Sequence, residues 1–226
     1  MKKIILGLII CFFIFGCDNG SVNKNQDATL VCLGDSLTAG YGATTPGADD
    51  KSKSYPAFLQ TKTTIPVINA GVSGNTTANG LSRVDKDVLS KNPQIVIILL
   101  GANDLFQGIS LNTTKNNLQN ILDKVNNGNR KIYLAKFYTD AVARQMANSL
   151  GFTDYNMQTA LINQYDNIFS TLAAQNNVTL IDDIWDGVWG IHMSDSIHPN
   201  AAGYEIMAEN IFIVLHEYLQ TNGLLL

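Results

Sequence analysis

The chain of 226 residues is poor in charge and in cysteine, and it has no cluster of basic residues. Lys, Arg, Asp and Glu together make up 15% of it, and the net charge is −4. A protein that binds nucleic acid needs basic residues concentrated on one surface, so this composition argues against a nucleic-acid partner. Hydrophobic residues make up 46% of the sequence, enough for a sizeable core, and the length suits one domain.

The N-terminal segment differs from the rest of the chain. Lys2 and Lys3 precede an apolar run over residues 4–15, which is too short to span a bilayer comfortably and has the form of a secretion signal. Residues 14–17 (IFGC) resemble a bacterial lipobox, in which a lipid is attached to the cysteine, although Phe15 is bulkier than the residue usual there. The resemblance implies a signal peptide over residues 1–16 and a lipid on Cys17. Residues 17–27 would then form a flexible tether.

We therefore expect a bacterial lipoprotein that is held at a membrane, outside the cytoplasm, by the lipid on Cys17. The alternative is an ordinary cleaved signal with incidental cysteines. In the lipoprotein interpretation Cys11 leaves with the signal, so Cys32 is the one free thiol and no internal disulfide can form. Cys32 lies in an apolar run, which favours a buried, inert thiol over a nucleophile.

Residues 28–226 alternate between short apolar runs and helical patterns, and we interpret them as one domain. Strands are predicted over residues 28–33, 66–69, 94–100, 131–135 and 178–181. Helices are predicted over residues 55–61, 76–90, 113–126 and 154–175, and a last one is predicted to begin at Pro199. This alternation predicts a parallel sheet between two layers of helices, a three-layer α/β/α sandwich. Ligands of such sheets bind beyond the carboxyl ends of the strands.

Candidate functional residues follow the first three predicted strands. Ser36 comes directly after the first and can present its hydroxyl at the edge of the sheet, although Gly-Asp-Ser is also a common turn. Gly71 and Gly74 follow the second, where each either aims a backbone N–H at a ligand or forms a plain turn. Asn103 follows the third, and its amide either donates to a developing oxyanion or forms an Asx-turn. We assign Asp104 to such a structural turn.

Asp195 and His198 lie three residues apart, directly before the last predicted helix. This spacing lets the carboxylate accept a hydrogen bond from Nδ1 and leaves Nε2 to take a proton from a serine. His192 lacks an acidic residue at that spacing, and His216 is predicted to lie on a helix surface. The pair could instead bind a metal, but no third ligand at a credible spacing accompanies it. We therefore expect no metal at this pair.

Four segments, in this order, resemble the SGNH hydrolases, also called GDSL-type esterases. They are residues 33–41 (LGDSLTAGY), 69–74 (NAGVSG), 101–104 (GAND) and 195–199 (DSIHP). The likeness is greatest to the bacterial lysophospholipase L1/thioesterase I-like and arylesterase group, and it extends from about residue 28 to residue 218. It implies a triad of Ser36, His198 and Asp195, and an oxyanion hole formed by Ser36, Gly74 and Asn103. It also implies a flavodoxin-like sheet of five strands and no cofactor.

The resemblance implies an enzyme that hydrolyses acyl esters of small molecules or lipids, as a carboxylesterase, arylesterase, lysophospholipase or thioesterase. We expect it to be a monomer. One alternative is a carbohydrate O-acetyl esterase with the same catalytic residues. Another is a lipoprotein that binds glycan or lipid without turnover, although a binder needs no base beside a serine. Residues 43–53 and 185–193 are expected to border the pocket, where Trp185, Trp189 and Ile191 either contact the acyl group or only pack the loop.

Overall fold

The computed structural model describes residues 28–138 and 154–226, with positions 143, 144, 148 and 151 between them. The predicted signal peptide, Cys17 and the tether, at residues 1–27, lie outside the described residues. Within the part of the chain that is described, no helix is long and apolar enough to cross a membrane.

Five strands form one parallel sheet with helices on both sides. The strands are β1 (Leu30–Gly34), β2 (Val67–Gly71), β3 (Ile95–Leu99), β4 (Lys131–Ala135) and β5 (Thr179–Ile181). Their order is β2-β1-β3-β4-β5, and every neighbouring pair is parallel. This is the flavodoxin-like order, so the predicted three-layer α/β/α sandwich with five parallel strands is confirmed. All residues of β1 and β3 are buried, as expected for central strands covered on both faces.

Seven helices are described besides two 3₁₀ turns at Lys51–Lys53 and Leu89–Lys91. They are α1 (Ser36–Ala39), α2 (Tyr55–Gln60), α3 (Thr77–Asp87), α4 (Ala102–Phe106), α5 (Leu111–Val125), α6 (Tyr155–Gln175) and α7 (Ala201–Thr221). Helix α2 packs against α7, whereas α5 packs against both α3 and α6, so the helices form two layers. Burial of Cys32 in β1 raises the pKa of its thiol, in keeping with the predicted inert cysteine.

Two predictions about helices need correction, and one helix was missed. The last helix does not begin at Pro199, because Asn200 is its N-cap and accepts a hydrogen bond from the Gly203 N–H at 3.0 Å. The helix predicted over residues 76–90 ends at Asp87 and is followed by a 3₁₀ turn. Helix α4 was not predicted, since five residues are too few to reveal a helical period.

Candidate active site

The carboxyl ends of β1 and β3 lie side by side at the point where the strand order reverses. From β1 the chain continues to β2 on one side, and from β3 it continues to β4 on the other. Ligands of open α/β sheets bind at this switch point. Ser36 follows β1 and Asn103 follows β3, so the topology brings these two predicted residues to the same place.

Ser36 is the first residue of α1, separated from β1 by Asp35 alone. The Asp35 carboxylate caps the helix by accepting a hydrogen bond from the Leu37 N–H at 3.1 Å. Gly34 permits α1 to pack this close to the end of β1, because a Cβ at that position would lie 1.9 Å from Thr38 Oγ1. Burial raises the pKa of Asp35 to about 7, against the opposing effect of the Leu37 N–H.

His198 connects Ser36 to Asp195 by hydrogen bonds. Its Nε2 lies 3.0 Å from Ser36 Oγ, and its Nδ1 lies 2.8 Å from Asp195 Oδ2. The Tyr41 ring packs against the imidazole at 4.5 Å between ring centroids and limits its rotation. An imidazole placed in this way, with Nδ1–H facing the carboxylate, can accept a proton at Nε2.

Asp195 is fixed by the turn in which it lies. Its Oδ1 accepts hydrogen bonds from the backbone N–H of Ile197 at 2.8 Å and of His198 at 2.7 Å. Partial burial alone would raise the pKa of Asp195, but these N–H groups and the His198 ring outweigh it and lower the pKa below its usual value. The carboxylate therefore stays charged at neutral pH and can stabilise a protonated His198.

Asn103 and Gly74 lie on the other side of Ser36. The Asn103 amide donates from Nδ2 to the backbone oxygen of Asn75 at 3.0 Å and, more weakly, to Asp35 Oδ2 at 3.4 Å. Gly74 has a φ of +79°, a conformation that favours glycine. Both residues line the same cleft as Ser36, so a side-chain amide and a glycine peptide group belong to the lining that contains its hydroxyl.

The cleft has a volume of about 240 Å³. Its lining is mostly apolar, apart from the hydroxyl, amide and imidazole groups near its centre. The residues that line it are Ser36, Leu37, Tyr41, Ser73, Gly74, Ala102, Asn103, Phe106, Ile197 and His198. Among the described residues, no group of three or more His, Cys, Asp or Glu side chains is placed to hold a metal ion.

The model of the GDSL-like lipase/acylhydrolase family matches residues 32–206, which is well over half of the chain. The chain belongs to this family. The matched range includes all five residues predicted to form the site, from Ser36 to His198. This membership makes the protein a serine esterase of the GDSL/SGNH type that acts on ester bonds.

Two curated relatives and one solved structure illustrate the relationship. The chain is 27% identical to esterase TesA of Pseudomonas aeruginosa over 84% of this chain and 89% of the relative. It is 29% identical to thioesterase 1/protease 1/lysophospholipase L1 of Escherichia coli K12 over 80% of each chain. The crystal structure of TesA superposes with a TM-score of 0.68 and 26% identity, over 84% of this chain and 98% of that one.

The segments expected to border the pocket of this GDSL-type esterase contribute no residue to the cleft lining. Trp185 is buried, and its Nε1 donates to the backbone oxygen of Phe137 at 2.9 Å, so it packs the loop. Trp189 packs edge-on against Trp185, and Ile191 is 72% exposed. Neither residues 43–53 nor residues 185–193 therefore line the cleft itself. Residues 43–53 border the cleft at Asp49, which accepts a hydrogen bond from Oγ of Ser73, one of the lining residues.

Asp104 has a different structural role from the one predicted. It is fully buried and forms no Asx-turn of its own. Its Oδ2 accepts from the Thr77 N–H at 2.8 Å, and its Oδ1 accepts from the hydroxyls of Thr77 and, at 3.2 Å, of Thr114. These bonds connect α4 to α3 and α5 beneath the cleft.

Sequence reasoning missed the apolar wall of the cleft and one residue behind it. Tyr41 and Phe106 line the cleft, but nothing in their spacing distinguished them from core residues. Arg83 lies behind the cleft. The one sequence feature that could have drawn attention to it is its i,i+4 spacing from Asp87, with which it forms an ion pair. That pairing indicates a helix face, but it cannot reveal what else the guanidinium contacts.

Proposed function

We propose that this esterase hydrolyses acyl esters by a Ser36–His198–Asp195 triad. In this proposal the oxyanion is stabilised by the backbone N–H groups of Ser36 and Gly74 and by the Asn103 amide. The observation that carries it is the unbroken hydrogen-bond chain from Asp195 Oδ2 through His198 to Ser36 Oγ, with steps of 2.8 and 3.0 Å. A serine is a weak nucleophile until an adjacent base takes its proton, and this geometry supplies that base.

In the first half-reaction Ser36 Oγ attacks the carbonyl carbon of the ester, and its proton passes to His198 Nε2. The electron pair of the carbonyl double bond moves to the oxygen, which the three N–H donors then stabilise. The protonated His198 gives its proton to the leaving alcohol or thiol as that bond breaks, which leaves an acyl group on Ser36. Asp195 remains charged throughout and stabilises the imidazolium.

In the second half-reaction water replaces the leaving group. His198 takes a proton from the water, the resulting hydroxide adds to the acyl carbon, and the collapse of the second tetrahedral intermediate returns Ser36 with its proton. The carboxylic acid then leaves. Each step is a proton transfer or an acyl transfer that needs only Ser36, His198, the ester and water.

The cleft favours small acyl groups. Its volume of about 240 Å³ is below the range of roughly 300–1,000 Å³ typical of drug-sized ligand pockets. Leu37, Tyr41, Phe106 and Ile197 provide apolar contact for a short chain beside Ser36. The relatives' names include esterase, thioesterase and lysophospholipase activities, and among these we favour hydrolysis of short-chain esters.

We expect kcat/KM to be highest for p-nitrophenyl acyl chains of roughly two to four carbons and to fall as the chain outgrows the cleft. The measurement is steady-state hydrolysis of p-nitrophenyl acetate, butyrate, octanoate and palmitate, beside lysophosphatidylcholine and an acetylated xylo-oligosaccharide. A preference for palmitate or the lysophospholipid would contradict the short-chain assignment, and a strong preference for the acetylated sugar would identify the carbohydrate O-acetyl esterase. Absence of turnover on every ester, with no phosphonate adduct on Ser36, would refute the catalytic proposal and favour a binding protein.

We also propose that Cys17 carries the lipid that anchors the enzyme outside the cytoplasm, since a basic pair, a short apolar run and a cysteine follow one another at the N-terminus. Full-length protein expressed in a bacterium should incorporate labelled palmitate and partition into detergent. Cys17→Ser should abolish both, because the thiol is the attachment site, whereas Cys11→Ser should change neither. A wild-type protein that stays unlabelled and in the aqueous phase would contradict the proposed lipid anchor. The N-terminal segment would then be an ordinary cleaved secretion signal.

A further inference from the structure

Arg83 lies behind the cleft and is bonded to the segments that carry the proposed site. It belongs to α3, its side chain is 14% exposed, and it is not among the residues that line the cleft. Its guanidinium donates to three groups besides Asp87, namely the backbone oxygens of Gly34 and Ala70, each at 2.7 Å, and Asn75 Oδ1 at 2.8 Å. A planar fork of donors is suited to holding several acceptors in fixed directions.

Two of these bonds join the carboxyl ends of neighbouring strands. Gly34 is the last residue of β1 and lies two positions before Ser36, and Ala70 lies in β2. The Gly34 oxygen also accepts from the Val72 N–H at 3.1 Å, so β1 is tied at this point to the chain that leaves β2. Arg83 thereby fixes the exit of the strand that carries the nucleophile relative to the loop that carries Gly74.

The third bond reaches the proposed oxyanion hole through Asn75. The Asn75 side chain accepts from Arg83 Nε, and its backbone oxygen accepts from Asn103 Nδ2 at 3.0 Å. The Asn75 N–H donates to the Val72 oxygen at 3.2 Å, which closes a turn around Gly74. One guanidinium thus supports, through Asn75, both the amide of Asn103 and the backbone of Gly74.

We infer that Arg83 is a positioning residue for catalysis, which holds Asn75 and the ends of β1 and β2 so that the Asn103 and Gly74 donors face the oxyanion that forms beside Ser36. This inference rests on the function proposed above. Since Arg83 lies outside the cleft, its loss should affect transition-state stabilisation more than substrate binding.

Arg83→Met should lower kcat per active site by about 10- to 100-fold with KM within about threefold of wild type, since a displacement of about 1 Å in a catalytic group can cost 10²-fold. Methionine keeps an unbranched side chain and removes all the donors. The measurement is kcat on p-nitrophenyl butyrate, divided by the sites titrated with a phosphonate, with thermal unfolding recorded in parallel. Unchanged kcat per titrated site, or a loss confined to KM, would overturn the inference.

Arg130→Met is the matched control. Arg130 also donates to two backbone oxygens, those of Pro93 and Val125, each at 3.0 Å. It lies directly before the first residue of β4, at the amino ends of the strands and so away from the candidate site at their carboxyl ends. Its replacement should lower thermal stability about as much as Arg83→Met does and leave kcat per site within about threefold of wild type. An equal loss of kcat in both variants would mean that removing any arginine bonded to backbone oxygens slows the enzyme. That result would overturn the specific role of Arg83.

A double-mutant cycle with Asn103→Ala separates positioning from general damage. If Arg83 acts in part through the Asn103 donor, the double variant should lose less kcat than the product of the two single losses, because the Asn103 part of the Arg83 effect is already absent. Losses that multiply in full would contradict action through Asn103. Should Arg83→Met fail to fold, Asn75→Ala replaces it in the cycle, because it removes the Arg83 Nε acceptor and keeps the backbone oxygen that Asn103 needs.

Ser36→Ala is assayed beside these variants, since substantial activity in that variant would refute the proposed function itself rather than the role of Arg83.

Discussion

Ser36→Ala should lower kcat by at least about 10⁴-fold, because without the hydroxyl no acyl-enzyme can form and His198 has no proton to take from a nucleophile. We expect the Ser36→Ala variant to remain folded. Ser36 Oγ makes its described hydrogen bond to His198 Nε2, in a partly exposed position, so its removal opens no cavity in the core. The measurement is kcat on a short-chain p-nitrophenyl ester, with mass spectrometry of the phosphonate adduct, which should appear on Ser36 in the wild type and be absent from the variant.

Ser73→Ala is the matched control, since Ser73 is the other serine that lines the cleft. Its hydroxyl donates to Asp49 and makes no described contact with a ring nitrogen of His198. We expect its kcat to fall by less than about tenfold, a change of under about 1.4 kcal/mol. Ester turnover by Ser36→Ala within about tenfold of wild type, or a phosphonate adduct on Ser73 instead, would overturn the assignment of Ser36.

The sheet, and the residues that meet in the candidate site, could be predicted from sequence because local patterns specify their positions. Buried strands read as unbroken apolar runs, such as β3, and parallel topology then fixes where their ends meet. Ser36 and Asn103 each follow such a run directly. Asp195 and His198 are close in sequence, so one turn is enough to bring carboxylate and imidazole together.

Other features depend on tertiary contacts that no local pattern encodes. The Tyr41 ring packs against His198, 157 positions along the chain, and Arg83 binds the ends of two strands that precede it. The sequence left two roles open for Trp185, contact with an acyl group or packing of the loop. Only the tertiary structure distinguishes them, because the indole N–H donates to the Phe137 oxygen and the ring is buried there. A sequence identifies which residue types are present, whereas burial decides which of them face a substrate.

Asn103 provides the second large expected effect, since the proposed oxyanion hole includes its amide, outside the triad. Its amide already donates to the Asn75 oxygen at 3.0 Å, while its contact with Asp35 Oδ2 is long, at 3.4 Å. The proton directed to Asp35 is therefore weakly held and available to an oxyanion. A hydrogen bond to a forming negative charge is stronger than one to a neutral carbonyl, so in the proposed role this donor should lower the barrier more than it tightens substrate binding.

Asn103→Ala should therefore lower kcat by roughly 10²–10³-fold, about 3–4 kcal/mol, with KM little changed. The measurement is kcat per site titrated with a phosphonate, which removes any contribution from unfolded protein. Asn117→Ala is the control, because that amide donates to Thr77 Oγ1 at 3.0 Å in the buried network under the cleft, and its loss should reduce thermal stability while kcat per site stays near wild type. If Asn103→Ala keeps kcat per site within about threefold of wild type, less than about 0.7 kcal/mol, Asn103 is a structural residue and the oxyanion must be stabilised by backbone N–H groups alone.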